Sequence, residues 1–225
     1  MKKNLFALIV PFILSGCDLE MLASVGLKET SSDVVTEGKS DIYLEISSCH
    51  SNEDSRIESK RLKEVKDKFP QVFPKAEYVE CFSKEMKSYA HFTVPVYFGK
   101  GDVEKYDLLF KETKYSVLSA FASEALRKRY DDFTKSNNLN NLNIKIAVTI
   151  TNNTGKDIKF KFMPAFLDGH PIINVTSVFD LKSGDSINNL LLSNVASSAI
   201  FGYSDNVDYK EGYGGANILL KDVVE

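Results

Sequence analysis

The sequence predicts an α+β fold, with antiparallel sheet and two or three helices packed on it. Three observations predict it. Ile144, Ile146, Val148 and Ile150 alternate with other residues, and Ile158, Phe160 and Phe162 repeat the pattern after Asn152-Asn153-Thr154-Gly155, which reads as a hairpin. Leu118, Phe121, Ala122, Ala125, Leu126, Tyr130 and Phe133 recur at helical spacing between Ser116 and Phe133. The chain has 225 residues, 43% hydrophobic and 26% charged, which suffices for one domain over 41–225 or for two lobes of about 41–110 and 111–225.

The first element is the opening stretch. Lys2 and Lys3 form a basic start, and Leu5 to Leu14 follows as a mostly apolar run containing Pro11. A spanning helix needs roughly 20 apolar residues, so this run is too short to cross a membrane and reads as an export signal over residues 1–16. Leu14-Ser15-Gly16-Cys17 comes directly after it. These four residues resemble the lipobox of bacterial lipoproteins, and the whole chain is similar, more loosely, to small uncharacterised lipoproteins of enterobacteria and their phages. The resemblance implies cleavage between Gly16 and Cys17, a diacylglycerol on the Cys17 thiol, and acylation of the new amine. That covalent lipid is the one non-protein group expected, with no further cofactor. Two acyl signals already give stable anchoring, so the bilayer is the first expected partner. The expected location is the cell membrane, lipid-anchored and facing the periplasm. Asp18 stands where enterobacterial lipoproteins retained in the inner membrane carry an Asp, which favours that membrane over the outer one.

Removing residues 1–16 takes Lys2 and Lys3 away and moves the formal net charge from -3 to -5. A mildly acidic chain has no basic surplus for nucleic acid. Residues 17–40 are polar, rich in Ser, Thr and Gly, and read as a lipidated N-terminus followed by a tether spanning on the order of 25 Å as flexible coil. Ile42, Leu44 and Ile46 then alternate as a half-buried strand. A mostly solvated helix is expected from a cap at Ser51 or Asn52 to Phe69, with Ile57, Leu62, Val65 and Phe69 as a narrow apolar stripe and Pro70 and Pro74 ending it. "AEYVECF" and "SYAHFTVPVYFG" read as strands, with Pro95 suggesting an edge or a bulge. After the helix at 116–133 and the hairpin, Asp168-Gly169 turns into a strand over "PIINVTSVFDL". A helix from Ser186 to about Phe201 and a strand at "ANILLKDVV" close the chain.

With Cys17 lipidated, Cys49 and Cys81 form an even pair in an oxidising compartment, and a structural disulfide is expected. The alternative, a redox or metal pair, lacks CxxC spacing. Chemistry is sparse elsewhere. His50, His91 and His170 show no i, i+4 pairing and no HExxH, and neither a P-loop nor GxSxG occurs. No catalytic residues and no metal ligands are therefore assigned. Tyr89, Phe92, Tyr97 and Phe98 form an aromatic run that becomes an interaction surface if Pro95 marks an edge strand.

The expected role is non-catalytic: an anchored periplasmic protein that works through contact with an envelope or phage protein. A prophage origin would make superinfection exclusion or envelope modification the natural task. The alternatives are a periplasmic small-ligand or glycan-binding module and, after it, an envelope hydrolase. A flat aromatic patch beside a sheet edge would favour the first reading. A deep pocket with converging polar groups would favour the second, and buried titratable groups in a cleft the third.

Overall fold

The computed structural model describes residues 18–136, 143–202 and 217–223. Strand β1 (Asp18–Gly26) leads through one helical turn, α1 (Leu27–Thr30), into β2 (Thr36–Ile46). Helix α2 (Lys60–Val72) precedes a hairpin of β3 (Glu77–Lys84) and β4 (Lys87–Phe98). The pair β5 (Leu108–Thr113) and β6 (Ser116–Ala122) runs into α3 (Glu124–Ser136). After β7 (Asn143–Thr151) and β8 (Ile158–Phe162) comes a small hairpin of β9 (Ala165–Leu167) and β10 (His170–Ile172). β11 (Phe179–Leu181), β12 (Ser186–Leu192), α4 (Asn194–Phe201) and β13 (Ile218–Asp222) complete the order.

All thirteen strands among the described residues join one sheet, in the order β10-β9-β12-β7-β1-β2-β4-β5-β6-β13-β8-β11, with β3 beside β4 off this path. The protein is mostly β, a curled half-barrel with few helices, which corrects the expected α+β class. The pairing is also mixed: β1 lies parallel to β7, and β4 parallel to β5. Strand twist alone coils a large sheet, and here the chain adds a constraint. β10 and β11 occupy the two ends of the path, yet only Ile173–Val178 connects them. Six residues reach at most about 25 Å when extended, so the two ends of the sheet are held near each other.

The curl encloses the main core, and a smaller cluster of Val103, Leu109 and Phe121 lies apart from it. Leu19, Met21, Ala23 and Val25 of β1, Ile42, Leu44 and Ile46 of β2, and Ile144, Ile146, Val148 and Ile150 of β7 are all buried on the same face. Helix α2 lays Leu62, Val65, Phe69 and Val72 on that face, with the Phe69 ring 4.5 Å from Phe92. α3 and α4 continue the layer through Leu126, Tyr130, Ile200 and Phe201. Burying each large apolar side chain contributes about 1.5–3 kcal/mol, so this single cluster is the main source of stability. The Arg129 guanidinium fastens α3 to α2, donating to the Val72 carbonyl at 2.8 Å and to Asp107 at 2.6 Å.

Several expected elements change identity. Ser116–Ala122, read as the first half of a helix, is β6, and the helix starts only at Glu124. Its residues are buried at almost every position, and a short continuous apolar run carries no periodicity that separates a strand from a helix. The helix expected from Ser186 splits into β12 and α4: a bulge in β12 sets the buried Ile187 and Leu190 at a helix-like spacing of three, and Ser193 caps α4 through a bond from the Ala196 amide. Helix α2 begins at Lys60, where the Ser59 hydroxyl accepts from the Leu62 amide, because Ser51, Asp54 and Arg56 spend their polar groups on local turns instead. Pro70 lies inside the last turn of α2 without ending it. The strand expected over 171–181 reduces to β10 and β11, and the hairpin expected across Asn152-Asn153-Thr154-Gly155 is corrected: β7 pairs with β1 and β12, while β8 pairs with β13 and β11 elsewhere in the sheet.

The tether expected over 17–40 is corrected as well. Residues 18–26 are a strand flanked by β2 and β7, and β2 already starts at Thr36. Its alternation, Leu19, Met21, Ala23 and Val25 inward, is masked in the sequence by small and polar neighbours. One continuous core crosses residue 110, so the alternative of two lobes finds no boundary there.

Candidate functional site

Alternation along β2, β3 and β4 sends a second set of side chains to the face turned away from the helices. Register pairs them in rows: Phe82, Tyr89 and Glu45; then Glu80, His91 and Tyr43; then Glu77, Thr93 and Asp41. Tyr43 continues the middle row to Glu20 of β1. Each pair of strands thus contributes cross-strand neighbours close enough for rings to meet.

The rings do meet. Phe82 stacks on Tyr89 with centroids 5.6 Å apart, Tyr43 meets the Phe82 ring edge-on at 5.9 Å, and His91 stacks on Tyr43 at 4.5 Å. His91 Nε2 and Asp41 Oδ1 are hydrogen-bonded at 2.8 Å, which fixes the imidazole plane against Tyr43. The His91 side chain is 13% exposed and Asp41 47%, so the pair opens to solvent at the carboxylate. Burial pushes the Tyr43 hydroxyl above its ordinary value, and the nearby Asp41, Glu20 and Glu80 add to the effect. Lys87 Nζ lies 2.7 Å from Glu45 at the edge of the patch. The result is an aromatic cluster with an acidic margin, beside β3, whose other side carries no strand among the described residues. Chemically it offers ring faces and edges, a hydrogen-bonded imidazole, and carboxylate acceptors.

A second concavity of about 300 Å³ lies further along β4, lined by Glu37, Lys39, Lys75, Glu77, Thr93 and Pro95. It exists because β3 pairs with β4 up to Thr93 while β5 begins only at Tyr97. Its charges answer one another: Lys39 lies 2.5 Å from Glu77, and Lys75 donates to the Tyr97 hydroxyl at 3.2 Å. Lys39 holds the Glu77 carboxyl below its usual range, first through that hydrogen bond.

The residues singled out from sequence separate. Cys49 and Cys81 are disulfide-bonded, with Cα atoms 5.7 Å apart, and tie the loop after β2 to β3. Of the expected aromatic surface, Tyr89 and Tyr97 are half-buried on the outer face, Tyr97 beside Tyr106. Phe92 and Phe98 are core residues, 1% and 8% exposed, because they alternate with the tyrosines; that part of the surface is corrected. Pro95 does not mark an edge strand: β4 is flanked by β2 on one side and by β3 and β5 on the other, and Pro95 occupies the gap between those two. His50 sits in the loop after β2 and His170 at the β9–β10 turn, so the three histidines are apart. Leu14, Ser15, Gly16 and Cys17 lie outside the described residues, and Asp18 is the first residue of β1. Among the described residues there is no group of three metal-ligating side chains and no helix long and apolar enough to cross a membrane. Asp41, Tyr43 and Phe82 were not singled out in the sequence, since only the register of three strands brings them to His91 and Tyr89.

Fold and site together define a mostly β domain that presents an aromatic face on a curled sheet. The chain belongs to the family described as a domain of unknown function, DUF7424, whose model matches residues 27–206. Neither the curated proteins nor the solved structures include one that matches it.

Proposed function

We propose that this is a lipoprotein, anchored at the cell membrane through Cys17 and facing the periplasm, that works without catalysis by contact with an envelope or phage protein. The single observation that carries the contact role is the cluster of Tyr43, Phe82, Tyr89 and His91 on the outer face, set beside the outer strand β3. Such rings supply a large apolar area with polar tips, the composition that interface centres favour. The anchor rests on Leu14-Ser15-Gly16-Cys17, and Asp18 favours the inner membrane. The small-ligand alternative has the cleft at Lys39 and Glu77 in its favour, but those two charges are paired with each other and Lys75 is bonded to the Tyr97 hydroxyl, which leaves less to receive a ligand.

The test is site-specific photocrosslinking in intact cells, with the probe at Tyr89 and, as control, at the exposed Val34. A protein adduct that forms from Tyr89, not from Val34, and disappears on Phe82→Lys supports the reading. Equal labelling from both sites defeats the contact role, and an intact mass showing an unlipidated chain defeats the anchor.

A further inference from the structure

The β3–β4 hairpin ends in a two-residue turn, Glu85–Met86, between Lys84 and Lys87, which are paired across the ladder. Both turn residues have positive φ, 51° for Glu85 and 64° for Met86. That backbone suits Asn-Gly or Asp-Gly, and an ordinary L residue in it costs about 1–2 kcal/mol. Met86 gains nothing within the fold for this: its relative exposure is 105%, the highest of the exposed large hydrophobic side chains. A strained turn that holds a long apolar side chain wholly in water is explained by something outside the chain.

The sheet says where the turn points. Leu19 is level with Leu44, Leu44 with Ala90, and Ala90 with Cys81. One step back, the row of Asp18 is therefore that of Glu45, Tyr89 and Phe82. Met86 lies three residues beyond Tyr89 in the direction of the N-terminus of β1, about 10 Å at the rise of a strand. Two strand spacings, about 10 Å, separate it sideways from β1. Cys17 is one peptide bond from Asp18, and β1 is held between β2 and β7, so no slack separates a lipid on Cys17 from the sheet. The headgroup layer of each leaflet is only about 5–7 Å deep.

We propose that the Glu85–Met86 turn is a second membrane contact, in which Met86 enters the headgroup–acyl boundary while Lys84 meets a lipid phosphate and Lys87 stays paired with Glu45. This rests on the lipidation of Cys17 proposed above and goes beyond it: the domain stands on the bilayer in one orientation, with the strand ends nearest Asp18 toward the lipid. Methionine is flexible and polarizable, suited to a disordered acyl boundary, and lysine stems cover apolar depth while the ammonium stays among phosphates.

The experiment uses the lipidated full protein purified from membranes and reconstituted in phosphatidylethanolamine–phosphatidylglycerol vesicles. Bimane is attached at Met86→Cys, at Glu85→Cys and at Val34→Cys, the last lying toward the opposite strand ends. The expected result is a blue shift and a loss of iodide quenching at positions 86 and 85 and neither at 34. Lipidated protein with the same emission and quenching at all three sites overturns this inference alone. Protein that proves unlipidated at Cys17 overturns both this inference and the anchor on which it rests.

Discussion

Two tight turns of this sheet share a backbone and differ in how well their residues suit it. Asp168–Gly169, between β9 and β10, has φ values of 49° and 79°; Glu85–Met86, between β3 and β4, has 51° and 64°. Positive φ at both central positions is the turn that matches strand twist, and Asp-Gly is among its favoured sequences. The well-suited turn joins strands of three residues each. The badly suited one joins strands of eight and twelve, held by the Cys49–Cys81 disulfide and by the rings of Phe82 and Tyr89. A short hairpin depends on its turn for register, whereas a long, cross-linked one tolerates a turn selected for something else.

The sharpest way to break that contrast is to remove the support. Cys49→Ser with Cys81→Ser should lower stability by about 3–4 kcal/mol, the chain-entropy value for a closed loop of this size, measured by urea unfolding. A loss near zero would mean that β3 holds its place without the bridge. Correcting the poor turn comes next: Glu85→Asn with Met86→Gly should raise stability by about 1–2 kcal/mol in the same assay. The good turn has nothing to gain. Gly169→Ala should cost about 1 kcal/mol, through its φ alone, since a Cβ there meets nothing within 4 Å. The smallest effect separates the core from both turns. Burial pushes the Tyr130 hydroxyl up to about 12, against about 10 in an unfolded chain. Below pH 10 both states keep the proton and its contribution is complete; between pH 10 and 12 the unfolded chain ionises first, so stability falls as pH rises. Tyr130→Phe should flatten that alkaline decline and leave the difference between the two turn variants unchanged.

The same contrast explains what the sequence disclosed. Asp168-Gly169 announces its turn by residue type, and Ile144 to Ile150 announces β7 by strict alternation. Glu85-Met86 announces nothing, since its conformation is imposed by the pairing on either side. β6 resembles a helix because a buried strand loses its polar alternation, β12 because its bulge spaces the buried Ile187 and Leu190 three residues apart, and β1 resembles a tether because Glu20, Ser24 and Gly26 hide its inward residues. The disulfide was expected from an export signal and from the parity left by setting Cys17 aside, and Cys49 and Cys81 are bonded. The aromatic cluster was only half legible: Tyr89 stood out, but Tyr43 and Asp41 lie some fifty residues from His91 and reach it only through register. Phe92 and Phe98 misled because aromatic content along a strand carries no sign of which face each ring takes.

The position of β1 also imposes an order in time. Leu19 faces Leu44 on one side and Ile144 on the other, so the strand next to Cys17 is sealed only when residues far along the chain have arrived. Pairings of such long separation form late, after the loop entropy between them has been overcome. A chain delivered N-terminus first therefore displays residues near position 17 as extended polypeptide through most of its delivery. On the proposed reading, processing at Cys17 precedes the closing of β1 between β2 and β7.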